Sequence, residues 1–269
     1  MRNLLLVLEY DGSQYSGWQV QKGRRTVQGT LEAILERTLG EPVRVCASGR
    51  TDAGVHAVGQ VVNFCTDSPL SADILLRILR ANLPRDLRAI TLFDVFPDFH
   101  ARKCALRKRY MYVVFMGANP PVFFRHYGCF LGNVDLDVGR MIEGSQIFLG
   151  THDFTAFSSP RGGNSSSVRT VFSFEVSPRG SFLLFDIQAS GFLYHMARFL
   201  VGELLMVGLG KKTIEDLQSM LIHPSYGYRR FHAPPEGLYL VEVSYPGVNP
   251  YKGLRLEERG FVVPFWVGE

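Results

Sequence analysis

The sequence predicts an α+β fold built from two similar halves. Three observations carry that prediction. Apolar runs of strand length alternate with runs whose apolar residues recur at helical spacing. The outline met in the first hundred residues returns in the second part of the chain, without any repeated sequence. Cap and turn residues stand at the joints between the runs.

Asn3 to Tyr10 reads as a strand closed by Asp11-Gly12, and Gly17 to Arg25 as a polar loop. Thr26 caps a predicted helix from Val27 to about Leu39, with Val27, Leu31, Ile34, Leu35 and Thr38 on one face, and Gly40-Glu41-Pro42 stops it. Val43 to Ala47 is a short strand, Ser48 to Val58 a loop, and Gln60 to Thr66 a further strand. Ser71 caps a second helix that ends near Leu83-Pro84, and Ile90 to Val95 completes the first half as a strand. In the second half Arg109 to Met116 is a strand and Leu136 to Leu149 is helical. Val168 to Val176 and Ser181 to Ala189 form a strand pair turning at Gly180. Phe192 to Gly208 is a long helix, Thr213 with Asp216 opens another through a capping box, and Gly237 to Tyr245 is the closing strand. Residues 1–103 and 104–246 are therefore read as two α+β halves, with 247–269 as a tail. The loop Ser158 to Ser167 is rich in Gly and Ser and reads as mobile.

Composition bounds the chemistry. The 269 residues are 46% hydrophobic and 20% charged, with a formal net charge of +4, a balance typical of soluble chains and one that permits a polyanionic partner without requiring it. Arg102, Lys103, Arg107, Lys108 and Arg109 lead directly into the apolar run Tyr110 to Phe115, a pattern that suits an RNA-facing strand and equally a solvated charge run. The four cysteines form no CxxC pair, so neither a zinc knuckle nor a disulfide framework is expected; Cys46 and Cys65, in apolar surroundings, read as small core residues. His56, His152 and His195 form no HxxxH or HxH pair, and no metal is expected. The start of the chain lacks a signal-peptide cleavage site, and the longest apolar stretch contains His195, Arg198 and Glu203, so no membrane span is expected and a cytoplasmic location is the simplest reading. No dinucleotide or P-loop fingerprint is present, and no cofactor is expected.

One loop concentrates reactive side chains: Ser48-Gly49-Arg50-Thr51-Asp52-Ala53-Gly54-Val55-His56-Ala57. Gly49 and Gly54 permit a tight backbone that presents Asp52 from a turn between two strands. A carboxylate placed there, among a guanidinium, a hydroxyl and an imidazole, can act as nucleophile or base; it can also simply accept backbone hydrogen bonds in the turn. Arg198 poses a second question, because it lies in a helix that is apolar almost all round. It must find a carboxylate or reach solvent. Glu203, five residues on, points elsewhere, whereas Gly202, four residues on, leaves room for a neighbouring segment.

The decapeptide around Asp52 closely resembles the catalytic signature of the TruA-type tRNA pseudouridine synthase family. Tyr10-Asp11-Gly12, Gly17 to Gln21, Arg25 to Gly29, Phe99 to Arg102, Arg109 to Tyr112, Gly150 to Phe157, Val168 to Thr170, Gly191 to Gly208 and Ala233 to Pro246 resemble that family's further blocks in order, so the likeness covers nearly all of residues 3 to 246. The resemblance implies isomerisation of uridine to pseudouridine at positions 38 to 40 of the tRNA anticodon arm. It also implies two RRM-like (ferredoxin-like) halves that share a continuous antiparallel sheet with a central active-site cleft, and a homodimer that holds one tRNA. In its terms Asp52 is the catalytic carboxylate and Arg198 its cationic partner; Tyr110 stacks on the uracil and Arg50 helps to flip the nucleotide. Arg24, Arg25, Arg102, Arg107, Lys108, Arg109 and Arg169 are candidates for phosphate contacts. The alternatives are a pseudouridine synthase acting on another RNA, a non-catalytic RNA-binding protein on the same halves, and a hydrolase using Ser48 or Ser190, which would lack a GxSxG elbow. The tail carries the apolar set Phe261, Val262, Val263, Phe265 and Trp266.

Overall fold

The structure, a computed structural model, describes residues 1–119, 122–160, 166–252 and 254. The tail's apolar set, and most of the Gly- and Ser-rich loop after Pro160, lie outside the described residues. Along the first part of the chain run β1 (Arg2–Tyr10), α1 (Val27–Leu39), β2 (Cys46–Ala47), β3 (His56–Thr66), α2 (Ala72–Asn82) and β4 (Leu87–Val95). They are followed by β5 (Arg107–Phe115), β6 (Cys129–Phe130), α3 (Val138–Gln146), β7 (Gly150–Asp153), β8 (Val168–Arg179) and β9 (Phe182–Ala189). The last elements are α4 (Met196–Gly208), α5 (Ile214–Ile222) and β10 (Leu238–Ser244). The strands are mostly antiparallel, so the fold is the expected α+β class.

The described chain divides into two compact units, Met1–Leu106 with the residues from Tyr239 on, and Arg107–Leu238. The sequence placed the division after residue 103 and assigned the closing strand to the second half. Instead, β10 belongs almost wholly to the first unit, where it runs parallel to β3 with Tyr239 opposite His56. A sheet pairing between segments far apart in the chain leaves no local signature.

In the first unit β1 lies between β3 and β4, and β2 joins the far side of β3, giving the order β4-β1-β3-β2, with α1 following β1 and α2 following β3. That is the βαββαβ arrangement of an RRM-like half. Leu4 to Leu8 are all fully buried, so β1 is covered on both faces and reads as an unbroken apolar run. Part of that cover is the segment after β4, which two buried asparagines hold in place: Asn3 and Asn63 donate to the Phe99 carbonyl at 2.9 and 3.1 Å, and Ala101 donates its N–H to Asn63 at 2.9 Å. The predicted caps are present at Thr26, Ser71 and Thr213, the last as a full capping box. Gly40 ends α1 at φ 72°.

Several elements differ from their sequence outlines. The strand expected from Val43 shrinks to Cys46–Ala47, because the buried carboxylate of Glu32 on α1 accepts the Val45 N–H at 3.0 Å where a ladder bond would otherwise form. β3 begins at His56, inside the segment read as loop. Cys46 and Cys65 are exposed, contrary to their reading as core: strand alternation turns Val45 and Phe64 inward and the cysteines outward.

In the second unit the antiparallel order is β5-β9-β8-β7, with β6 added parallel to the end of β5. α3 spans Val138–Gln146, shorter at both ends than expected: Asp137 caps its start, and beyond Gln146 Phe148 and Leu149 donate only three residues back, to Ser145 and Gln146. α4 begins at Met196 and not at Phe192. His195, just before it, is the one non-glycine residue at positive φ among the described residues, and that conformation interrupts the apolar run.

Candidate active site

In the first unit the loop from Ser48 to Val55 is shaped by contacts that the sequence does not advertise. Ser48 is anchored to β3 through its N–H to Val61 at 2.8 Å and its hydroxyl to Gln60 at 2.7 Å, and the Gln60 amide returns a bond to the Gly49 carbonyl at 2.8 Å. Thr51 is held from two sides: its hydroxyl meets the Tyr10 hydroxyl at 2.8 Å, and its carbonyl accepts the Trp18 N–H at 3.0 Å. Burial pushes the Tyr10 hydroxyl up to about 12, so it remains protonated at neutral pH. Beyond Asp52 the chain turns through Gly54 at φ 79°, and Val55 donates to the Asp52 carbonyl at 3.2 Å. Gly49, also read as a special position, does not adopt positive φ.

Two glycines outside the loop press against it. A Cβ on Gly12 would lie 2.0 Å from the Val55 carbonyl oxygen, and one on Gly17, at φ 87°, would lie 2.9 Å from that of Thr51. Only residues without side chains allow these backbones to approach so closely. His56 is buried, and its Nδ1 accepts the Gly12 N–H at 3.1 Å. The same nitrogen lies 3.3 Å from a carboxylate oxygen of Asp11. The imidazole stacks on Tyr239 of β10, with ring centroids 4.8 Å apart. The loop thus presents a half-buried Asp52 beside an exposed Arg50 on a frame of buried bonds.

In the second unit Tyr110 sits on β5 opposite Ile187, largely buried, with its ring edge-on to Phe192 at 4.7 Å. Arg198 lies in the first turn of α4 and is only 8% exposed; its Nε donates to the Ala233 carbonyl at 2.7 Å. The room expected at Gly202 is taken by the Phe231 backbone, whose oxygen would lie 2.1 Å from an added Cβ. Glu203, set aside as a partner for Arg198, is fully buried and paired with Lys212.

The remaining basic residues divide by environment. Arg24 and Arg102 are exposed, and Arg107 lies over the Phe172 ring at 4.2 Å. Arg25 stacks on Tyr15 at 4.2 Å and donates to both oxygens of Asp86, and Arg109 is likewise bound by Asp186, so a carboxylate already offsets each of those charges. Arg169 donates to the Ser166 and Val168 carbonyls at 2.8 and 2.6 Å. Lys108 sits opposite Ala189 and is partly buried.

A ring column was missed from sequence. Tyr194, His195, His232 and Phe199 follow one another at centroid separations of 3.6, 4.4 and 4.6 Å, and the Arg230 guanidinium lies 4.5 Å from the Phe199 ring. His232 is far from His195 in sequence, and no spacing rule could have joined them.

Comparison with known proteins follows the same residues. A family model described as tRNA pseudouridine synthase matches residues 6–102 and 145–246. The protein named tRNA pseudouridine synthase A from Geobacillus kaustophilus (strain HTA426) is 43% identical over 240 residues, covering 89% of this chain and 93% of that protein. The protein of that name from Thermoanaerobacter sp. (strain X514) is 38% identical over 91% of this chain and all of its own length. Its namesake from Alcanivorax borkumensis (strain ATCC 700651 / DSM 11573 / NCIMB 13689 / SK2) is 40% identical over 91% of this chain.

Proposed function

The chain belongs to the tRNA pseudouridine synthase family, and from that membership we propose that it isomerises uridines at positions 38 to 40 of the tRNA anticodon arm with Asp52 as the catalytic carboxylate. The observation that carries the assignment to Asp52 is the construction of its loop. A carboxylate that merely closed a turn would not need Gly12, Gly17, Tyr10 and Gln60 to hold the backbone around it.

In the reaction the glycosidic N1–C1′ bond breaks, the uracil turns, a C–C bond forms from C5 to C1′, and C5 loses the proton whose equivalent N1 gains, so nothing is oxidised and no group leaves the RNA. Asp52 attacks C1′ or removes the 2′ proton. Arg198 serves as the cationic partner of such a carboxylate. Tyr110 stacks on the uracil, Arg50 helps to extract the nucleotide from its stack, and flipping costs a few kcal/mol. Arg24, Arg102, Arg107, Lys108 and Arg169 contribute contacts to phosphates, with Arg25 and Arg109 acting through their carboxylate-bound guanidinium groups. The same reading has the protein working as a homodimer in the cytoplasm. No helix among the described residues is long and apolar enough to cross a membrane.

The test is pseudouridine formation on an unmodified tRNA transcript with uridines at 38 to 40, comparing the native chain with Asp52→Asn. Product from the native chain alone is expected. Product from both removes Asp52 from its role, and product from neither, with RNA binding intact, removes the assignment of substrate.

A further inference from the structure

We propose that Glu203 and Lys212 are positioning residues for Arg198, acting through the segment Arg229–Ala233, which they clamp along α4. The proposal rests on the role given to Arg198 above.

The segment runs antiparallel to the helix and is held at three levels. At the lower level Arg198 and Ala233 exchange bonds: the Ala233 N–H donates to the Arg198 carbonyl at 3.2 Å, and the Arg198 Nε–H donates to the Ala233 carbonyl at 2.7 Å. One turn on, Gly202 lets the Phe231 backbone approach the helix more closely than any side chain would permit. At the upper level the Glu203 carboxylate accepts the Phe231 N–H at 2.7 Å through one oxygen and pairs with Lys212 through the other, while the Lys212 ammonium also donates to the Arg229 carbonyl at 3.0 Å. The side chains between these points are held too. His232 stacks on Phe199, and Arg230 covers the same ring and donates to the Ala156 carbonyl at 3.2 Å and to that of Ser158.

The energetics argue against a purely stabilising purpose. Glu203 is fully buried, and taking a carboxylate and an ammonium out of water offsets much of what their attraction returns; well-packed apolar residues often stabilise a fold equally well. What an ion pair does and an apolar pair does not is to aim hydrogen bonds. Here it aims two at the backbone of Arg229 and Phe231. Those bonds set where the Ala233 carbonyl lies, and that carbonyl holds the guanidinium of Arg198 by its Nε–H. With the pair removed, the segment slides on α4 and Arg198 turns with it, and a displacement of about 1 Å at a catalytic group can cost about 100-fold in rate.

The experiment measures single-turnover pseudouridine formation at saturating tRNA transcript, tRNA affinity by filter binding, and hydrogen exchange at the Arg198 Nε–H by 15N NMR, for the native chain, Lys212→Met and Lys212→Arg. The expected result for Lys212→Met is a rate lowered about 10- to 100-fold, affinity unchanged, and faster exchange at the Arg198 Nε–H. Lys212→Arg, which keeps the charge and the donors, is expected to restore the rate. If Lys212→Met does not fold, the double variant Glu203→Leu/Lys212→Met, with an apolar pair in place of the ionic one, is measured instead, with the same expectation. A native rate with unchanged exchange overturns the proposal, as does a rate that falls only in proportion to the unfolded fraction. If the native chain makes no pseudouridine, the function proposed above fails, and the exchange measurement alone judges the clamp: faster exchange supports it and unchanged exchange overturns it.

Discussion

At His195 the backbone adopts φ 65°, a conformation that costs a non-glycine residue on the order of 1 kcal/mol. The surroundings hold it there: its Nδ1 meets the Ser159 hydroxyl at 2.9 Å, and its ring lies between those of Tyr194 and His232. His232 is the residue whose protonation the fold opposes most clearly. Its Nε2 is buried with no hydrogen-bond partner, and burial first, then the charges of Arg198, His195 and Arg230, push its pKa from 6.5 down to about 3. Above pH 6.5 the imidazole is neutral in both the folded and the unfolded chain and contributes no pH dependence. Between 6.5 and about 3 the unfolded chain takes up a proton that the folded chain refuses, so stability falls as pH falls. We expect His232→Phe, which keeps a ring in the column and has no proton to bind, to lose less stability than the native chain between pH 7 and pH 4 in urea titrations. Equal losses in the two proteins would show that His232 does not carry this dependence. Nothing in the sequence around His232 signals the burial responsible, because its partners lie on α4, in the turn before it, and on the same returning segment.

Among the elements, the Asp52 loop shows most directly how a short motif depends on its neighbours. Its residue types and Gly54 were visible in sequence; the contribution of Gly12 was not, since it lies in the turn just beyond another strand and makes room by having no side chain. Gly12→Ala is expected to destabilise the protein by about 1–3 kcal/mol, because the new Cβ must push the Val55 carbonyl aside. The same push reaches Asp52 through the hydrogen bond from Val55 to its carbonyl, so pseudouridine formation should slow even at temperatures where the variant is fully folded. Thermal melts and rates measured side by side test this, and a variant with native melting and native rate would mean that the loop relaxes freely. Helix starts at Thr26, Ser71 and Thr213 were legible because a cap is a local bond between a side chain and a backbone N–H three residues away. The start of α4 was not, because Phe192 to Tyr194 are as apolar as the helix they precede, and their rings pack in tertiary contacts instead.

For the whole molecule, a net charge of +4 is too small to describe RNA binding by itself, and the distribution of charge matters more. Carboxylates already engage Arg25 and Arg109, whereas Arg24 and Arg102 are exposed. Binding that rests on phosphate contacts should weaken about tenfold or more between 50 and 200 mM salt, since each contact releases condensed counterions. Filter binding across that range is the check, and an affinity that barely moves would remove the electrostatic part of the proposed function. The substitution Arg25→Gln should change the salt slope less than Arg24→Gln does, because Asp86 already offsets its charge.

By itself the sequence determined the α+β class, the helix caps, the family, and the loop and helix that bear Asp52 and Arg198, because periodicity, capping and contiguous motifs are properties of neighbouring residues. Only the tertiary structure decided that β10 joins the first unit beside β3, that Glu32 replaces part of a strand, and that Glu203 and Lys212 hold the segment on which Arg198 leans. Each of these depends on which residues distant in the chain come together, and close approach in space leaves no periodic trace along a single sequence.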